Sequence, residues 1–306
     1  MHIQWYPGHM HKARKEMKET LPKVDLIIEI LDARIPFSSE NPMLAEIRGN
    51  KPAIKVLSKT DLADVEMTKQ WLHHFDQEQG TEAAFPVTTK QPETIKKLPG
   101  LIRQKLKFND RPIHAMIVGI PNVGKSTLIN ILAGRTIAKT GNEPAITKGQ
   151  QRIKLDNGII LSDTPGVLWP NVENINSGYR LACTGAVRDT AMEYPDVAFY
   201  LANYLIKYYP NNLSSRYEID HLPEVELELL ELIGKKRGCL RSGGQVDLDK
   251  VSRLFLMEYR DGILGEISLE TPEDKVKELK ELVLIREKKR ALKAEKEARR
   301  KKKKRK

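Results

Sequence analysis

Residues 119–126 read GIPNVGKS, two glycines framing a loop that closes on Lys-Ser. That spacing can wrap a phosphate. Gly119 and Gly124 let the backbone curl, and the amides of Asn122, Val123, Gly124, Lys125 and Ser126 then face the anion. Lys125 reaches the β- and γ-phosphates, and the Ser126 hydroxyl can ligate Mg²⁺. Thr127 continues the same nucleotide-binding run. The chemistry is nucleoside triphosphate binding and phosphoryl transfer, and the octet alone does not choose between ATP and GTP.

Three further stretches narrow the choice. DTPG (163–166) follows an apolar run. Asp163 can hold Mg²⁺ through water, and the Gly166 amide can sense the γ-phosphate. Between the two motifs, Thr147 in PAITKG can offer Mg²⁺ a hydroxyl and the γ-phosphate an amide. The guanine reader lies upstream, in LSKTD (57–61). Asp61 can accept hydrogen bonds from guanine N1–H and its 2-amino group, which adenine cannot supply. The Lys59 stem can lie on the base, with Ser58 and Thr60 beside it. VTTK (87–90) brings Thr88 and Thr89 as a second base loop. The substrate expected is GTP, and the motif order is a circular permutation of the usual one.

These residues need elements that hold them. Apolar runs of strand length lie at 24–33, 52–58, 83–88 and 113–120, with helical periodicity at 64–79, 93–107 and 125–134. Residues 151–163 read as two strands around Asn157-Gly158, a hairpin signal. Residues 9–21 read as a short basic helix. The predicted fold class is α/β, a P-loop GTPase domain whose parallel or mixed sheet carries helices on both faces. Past residue 175 the pattern turns helical, at 195–208, 223–236, 247–261 and 272–298. The predicted division is a GTPase domain over 1–175, a small all-helical domain over 176–285, and a basic, disordered tail over 286–306.

Charge supports the last boundary. The chain of 306 residues carries a formal net charge of +11. Residues 286–306 hold 14 Lys/Arg and three Glu, while the rest holds 38 of each sign. The basicity is an appendage, and its expected partner is a polyanion such as nucleic acid. Cys183 and Cys239 are too few for a disulfide framework and read as reduced thiols. No apolar run is long enough for a membrane span, and the N-terminus has no signal-peptide core. The expected compartment is the cytoplasm, with no membrane partner.

The permuted order, with WYPGHMHKARKEM at the N-terminus, resembles the YlqF/RbgA family of circularly permuted GTPases. The resemblance covers nearly the whole chain and includes LDARIPFSSENPML (31–44), PNVGKSTLIN (121–130), DTPGVLWP (163–170) and RGCLRSGGQVDLDKVSRLFLMEYRDGILGEISLETP (237–272). It implies a Ras-like α/β GTPase domain followed by a helical RNA- or ribosome-binding domain, in a switch that hydrolyses GTP, binds the large ribosomal subunit precursor through rRNA and ribosomal proteins, and promotes its late assembly; the chain is expected to be a monomer. Ser58 departs from the family's asparagine, so weaker base binding is expected while Asp61 keeps guanine selectivity. Alternatives are an rRNA-binding scaffold in which GTP is a structural ligand, and a small-molecule phosphotransferase, for which no lid or acceptor site is visible.

Catalysis needs a group to orient water. Ras-like enzymes place glutamine after the DxxG motif, but Val167 and Leu168 stand here. Two sources of help are open. His9 of the PGHM motif can swing in and position water; His114, at a strand start, is the poorer histidine. K⁺ held by Asn122 can stabilise developing charge. Low intrinsic turnover, stimulated by a partner, follows from either.

Overall fold

The computed structural model describes residues 15–107, 111–137, 151–155, 158–164, 166, 168 and 172–304. His9, Thr147 and Val167 lie outside the described residues, as do the turn residues 156–157 and the start of the basic N-terminal helix. That helix is described over residues 15–20.

A six-stranded sheet forms the centre, in the order β3-β2-β1-β4-β6-β5. Its strands are β1 (Leu26–Asp32), β2 (Ala53–Ser58), β3 (Thr81–Pro86), β4 (Ile113–Gly119), β5 (Gln151–Lys154) and β6 (Ile159–Asp163). All neighbours run parallel except β5 against β6. Every residue of β1 and β2 is buried. This is why they read as unbroken apolar runs, since parallel strands are covered on both faces. The third strand sits two residues earlier than its apolar run implied. Its register is fixed by Val56 opposite Phe85, and Val87 keeps one backbone bond to Leu57 beyond the strand.

Beyond the N-terminal segment, eleven α-helical segments are described: α1 (Pro36–Ser39), α2 (Pro42–Ile47), α3 (Val65–Gln77), α4 (Pro92–Leu106), α5 (Lys125–Ala133), α6 (Ile175–Cys183), α7 (Tyr194–Tyr208), α8 (Pro210–Tyr217), α9 (Glu226–Lys236), α10 (Leu248–Arg260) and α11 (Pro272–Lys304). Asp64 caps α3 by accepting from the Met67 amide at 2.9 Å. On one side of the sheet, Leu31 and Leu57 pack with Trp71 and Phe75 of α3. On the other, Ile28, Ile117 and Leu161 meet Leu98 and Ile102 of α4 and Leu128 of α5.

Four helices, the short α1 and α2 and then α6 and α8, were not legible in the sequence. Helix α6 hides behind buried Gly178 and Arg180, which break the apolar stripe. The last helix departs further from expectation. It runs to Lys304, whereas a disordered tail was expected from 286. Alanine, glutamate, lysine and arginine are strong helix formers, and helix α11 carries them onward from an anchored first turn. There Thr271 and Asp274 cap each other reciprocally, side chain to backbone amide, at 2.9 and 3.0 Å.

Candidate functional site

The C-terminal ends of β1, β2, β4 and β6 converge on one edge of the sheet, where α/β folds place ligands. The phosphate loop leaves β4 and enters α5. Gly124 has φ +92°, a conformation that favours glycine, and it turns the loop into the helix. Gly166 lies against the same loop: a Cβ there would stand 3.1 Å from the backbone of Pro121. DTPG is thereby pressed onto the phosphate loop with no room for a side chain.

Lys125 and Asp163 meet as a buried ion pair. Burial pushes Lys125 down and Asp163 up from their ordinary values, and their mutual attraction opposes both shifts. Asp163 Oδ2 is buried without a hydrogen-bond partner among the described residues. Leaving such an oxygen unbonded costs about 1–3 kcal/mol. An acidic oxygen of this kind, on the strand that pairs directly with β4 ahead of the phosphate loop, suits a hydrated divalent cation. Thr164 donates to the Ile117 carbonyl at 2.9 Å and fixes the next residue to β4.

The base side is built from the ends of β2 and β3. Ser58 is buried, with Oγ 2.6 Å from the Val123 carbonyl and 2.9 Å from that of Leu31. One hydroxyl proton serves two acceptors, so Ser58 clamps β1 and the phosphate loop. Lys59 adopts φ 57°, and its ammonium lies 3.1 Å from Asp32. Asp32 is held bidentately by buried Arg34 at 2.9 and 2.8 Å. Burial opposes its charge, yet Arg34 and Lys59 keep its pKa well below the carboxylate range.

Asp61 accepts from Thr88 Oγ1 at 2.7 Å and pairs with Lys90 at 3.0 Å. Partial burial works against its ionisation, but these two partners lower its pKa. The two base loops are thus brought together, and Thr60 bonds the Val87 carbonyl across them. Thr89 is exposed beside them. Sequence reasoning passes over Lys90. Only its place next to Thr89 pointed to it, and the two loops sit 27 residues apart.

Asn122, with φ 58°, donates from Nδ2 to the Gly185 carbonyl at 2.8 Å. The phosphate loop is therefore tied to the chain just after α6. The stretch before α11 does the same for the base loop: Ile267 donates to Leu62 at 3.0 Å and Leu269 to Arg34 at 2.9 Å. His114, second in β4, is five residues from Gly119, roughly 16 Å along the strand. It lies at the sheet end opposite the phosphate loop. Leu168 is 1% exposed, so neither residue can orient water at the phosphates.

His73 and His74 lie together on α3, and no group of three metal-binding side chains occurs among the described residues. Both cysteines are free and buried. No helix among the described residues is long and apolar enough to cross a membrane.

Comparison with known proteins bears on this geometry. Residues 114–229 match the family described as 50S ribosome-binding GTPase. A Bacillus cereus protein named Ribosome biogenesis GTPase A is 45% identical over 297 residues, covering 94% of this chain and 100% of the relative. Its Thermotoga maritima namesake is 34% identical over 272 residues, covering 89% and 95%. The solved GDP-bound structure of YlqF superposes with a TM-score of 0.63 at 29% identity, over 84% of this chain and 99% of that one.

Proposed function

The chain belongs to the ribosome biogenesis GTPase A family and is a GTPase, and from that premise we propose that it is a switch which binds the large ribosomal subunit precursor in its GTP state and leaves after hydrolysis, late in assembly. The carrying observation is the pair of ties from the nucleotide loops to the C-terminal helices. Asn122 holds Gly185, and Leu62 and Arg34 hold the stretch before α11. A change at the phosphates then has a direct mechanical path to the helical part. The ribosome enters through the relatives' names, which include a mouse mitochondrial ribosome-associated GTPase at 33% identity.

The reading assigns roles to this chain's residues. Lys125 and the loop amides from Asn122 to Thr127 hold the phosphates. With nucleotide bound, Lys125 would turn from Asp163 to phosphate oxygens, and Asp163, Ser126 and Thr147 would hold Mg²⁺, whose chemistry there would be to supply positive charge where the phosphates become more negative. Asp61 exchanges Thr88 and Lys90 for guanine, Lys59 covers the base, and Gly166 senses the γ-phosphate. His9, or K⁺ on Asn122, completes the site when the subunit docks. The order of motifs is read as a circular permutation. Its support is the sheet: the base loops end β2 and β3, upstream of β4, yet lie along the same edge.

The protein acts as a monomer in the cytoplasm on this reading, with a GTPase domain over 1–175, a ribosome-binding helical domain over 176–285 and a basic segment after it. The test is co-sedimentation with purified large subunits. The switch predicts retention with a non-hydrolysable GTP analogue and release with GDP. Equal retention in both states overturns it and favours the scaffold reading.

A further inference from the structure

A cavity of about 360 Å³ opens far from the nucleotide loops. It lies on the α3 side of the sheet, toward the starts of β1 and β2, and α11 forms its outer wall. Its floor is Glu29, 8% exposed and bonded to the Asn41 amide at 2.9 Å. Its walls are apolar, with Ile27, Leu44 and Ala53 inside and Leu279 and Leu282 on α11.

The charges around it are unevenly settled. Lys55, the neighbour of Glu29 across the strands, turns to Glu40 and Glu78. Lys275 of α11 pairs with the same two acids at 2.9 and 2.7 Å. Arg286 pairs with Glu173 at 2.6 Å. Glu29 is the acid left over: among the described residues no cationic side chain is within ion-pair distance of it. A bare carboxylate in such a place is costly unless a cation reaches it.

We propose that this cavity is a docking site for a basic polypeptide, one arginine of which reaches Glu29. The apolar walls suit the arginine stem, and the carboxylate suits the guanidinium fork. An anionic ligand would find every lining lysine already paired. A small amine would leave the mouth uncovered. There the apolar face of α11 continues through Val276, Leu279 and Val283, each 44–52% exposed, a strip of peptide length. Burial, with Glu40 and Glu78 nearby, raises the Glu29 carboxyl to about 7 against the pull of Lys55 and the Asn41 amide. Lys275 faces the same group from α11. Arginine binding must then expel a proton near neutrality, so affinity rises with pH through 7.

The experiment is fluorescence anisotropy of the full chain with a fluorescein-labelled peptide alternating leucine and arginine. Its control is the same peptide with citrulline for arginine. Saturable binding of the arginine peptide is expected, at least tenfold weaker for citrulline. Glu29→Gln is expected to weaken it tenfold and to flatten the rise in affinity from pH 6 to pH 8. Leu279→Lys, at a half-exposed helix position, puts a like charge at the mouth and is expected to weaken it similarly. GTP turnover of both variants stays at the wild-type level and reports that they fold. Absence of saturable binding to the wild type, or equal binding by wild type and both variants, overturns the proposal.

Discussion

Lys125 and Asp163 hold each other at the loop proposed to bind the phosphates, and Ser58 and Asp61 tie together the loops proposed to hold the base. Each has a distinct expected consequence when removed. Lys125→Ala takes away the one cationic side chain assigned to the phosphates. Phosphate release should fall by roughly 10²–10³-fold, the scale of losing one transition-state donor. Asp61→Ala removes two hydrogen bonds to a charged acceptor, worth about 1.5–3 kcal/mol each. The GTP Kd should rise at least about 100-fold in a titration with labelled nucleotide. Ser58→Ala loses the clamp between Leu31 and Val123 and should cost about 1 kcal/mol of stability by denaturant titration. At this scale the sequence was informative where spacing is local. The phosphate loop could be read from eight consecutive residues. The bonds from Asn122 to Gly185, 63 residues away, and from Thr88 to Asp61 could not, because they depend on how the loops meet.

The elements that carry these residues are locked to the C-terminal helices by buried charge. Arg180 of α6 pairs with Glu270 at 3.2 Å and Glu278 at 2.9 Å, and donates to the Leu269 carbonyl at 3.0 Å. Glu270 in turn receives the Ser38 amide at 2.9 Å. Arg180→Ala would leave two buried acids unpaired, a loss of roughly 3–5 kcal/mol. Melting should fall by about 6 °C or more. A second lock is Glu78, which burial would push up but which Lys55 and Lys275 hold down to about 2. Its folded pKa is below the ordinary 4.5, so its contribution is complete above pH 4.5. It is lost as pH falls toward 2. Glu78→Gln should remove on the order of 2 kcal/mol at pH 7 and flatten the decline of stability between pH 4.5 and pH 2. The strands were legible because buried parallel strands are apolar throughout. Helix α6 was not, because a glycine and an arginine break its stripe and the arginine finds its partner 89 residues on.

For the whole molecule, a charge-balanced body with a strongly basic end poses the question of its partner. Helix α11 continues through residues 286–304 of the segment that holds 14 Lys/Arg. If they neutralise phosphates, RNA binding weakens linearly with log salt, by about 0.9 in slope per phosphate on duplex. Deleting 286–306 should reduce that slope by several units in a filter-binding titration, and an unchanged slope would show that the segment touches no phosphates. The position of the basic block was plain from sequence; its helical pattern was read only to 298 and set against an expected disordered tail from 286, since like charges argue for disorder while residue propensity argues for helix. The central claim is that the nucleotide site is completed by the ribosomal particle, since neither His114 nor Leu168 can orient water. GTP turnover in K⁺ buffer, with and without purified large subunits, tests it most directly. The account predicts strong stimulation by the large subunit and none by the small one. Turnover that the large subunit leaves unchanged would contradict it.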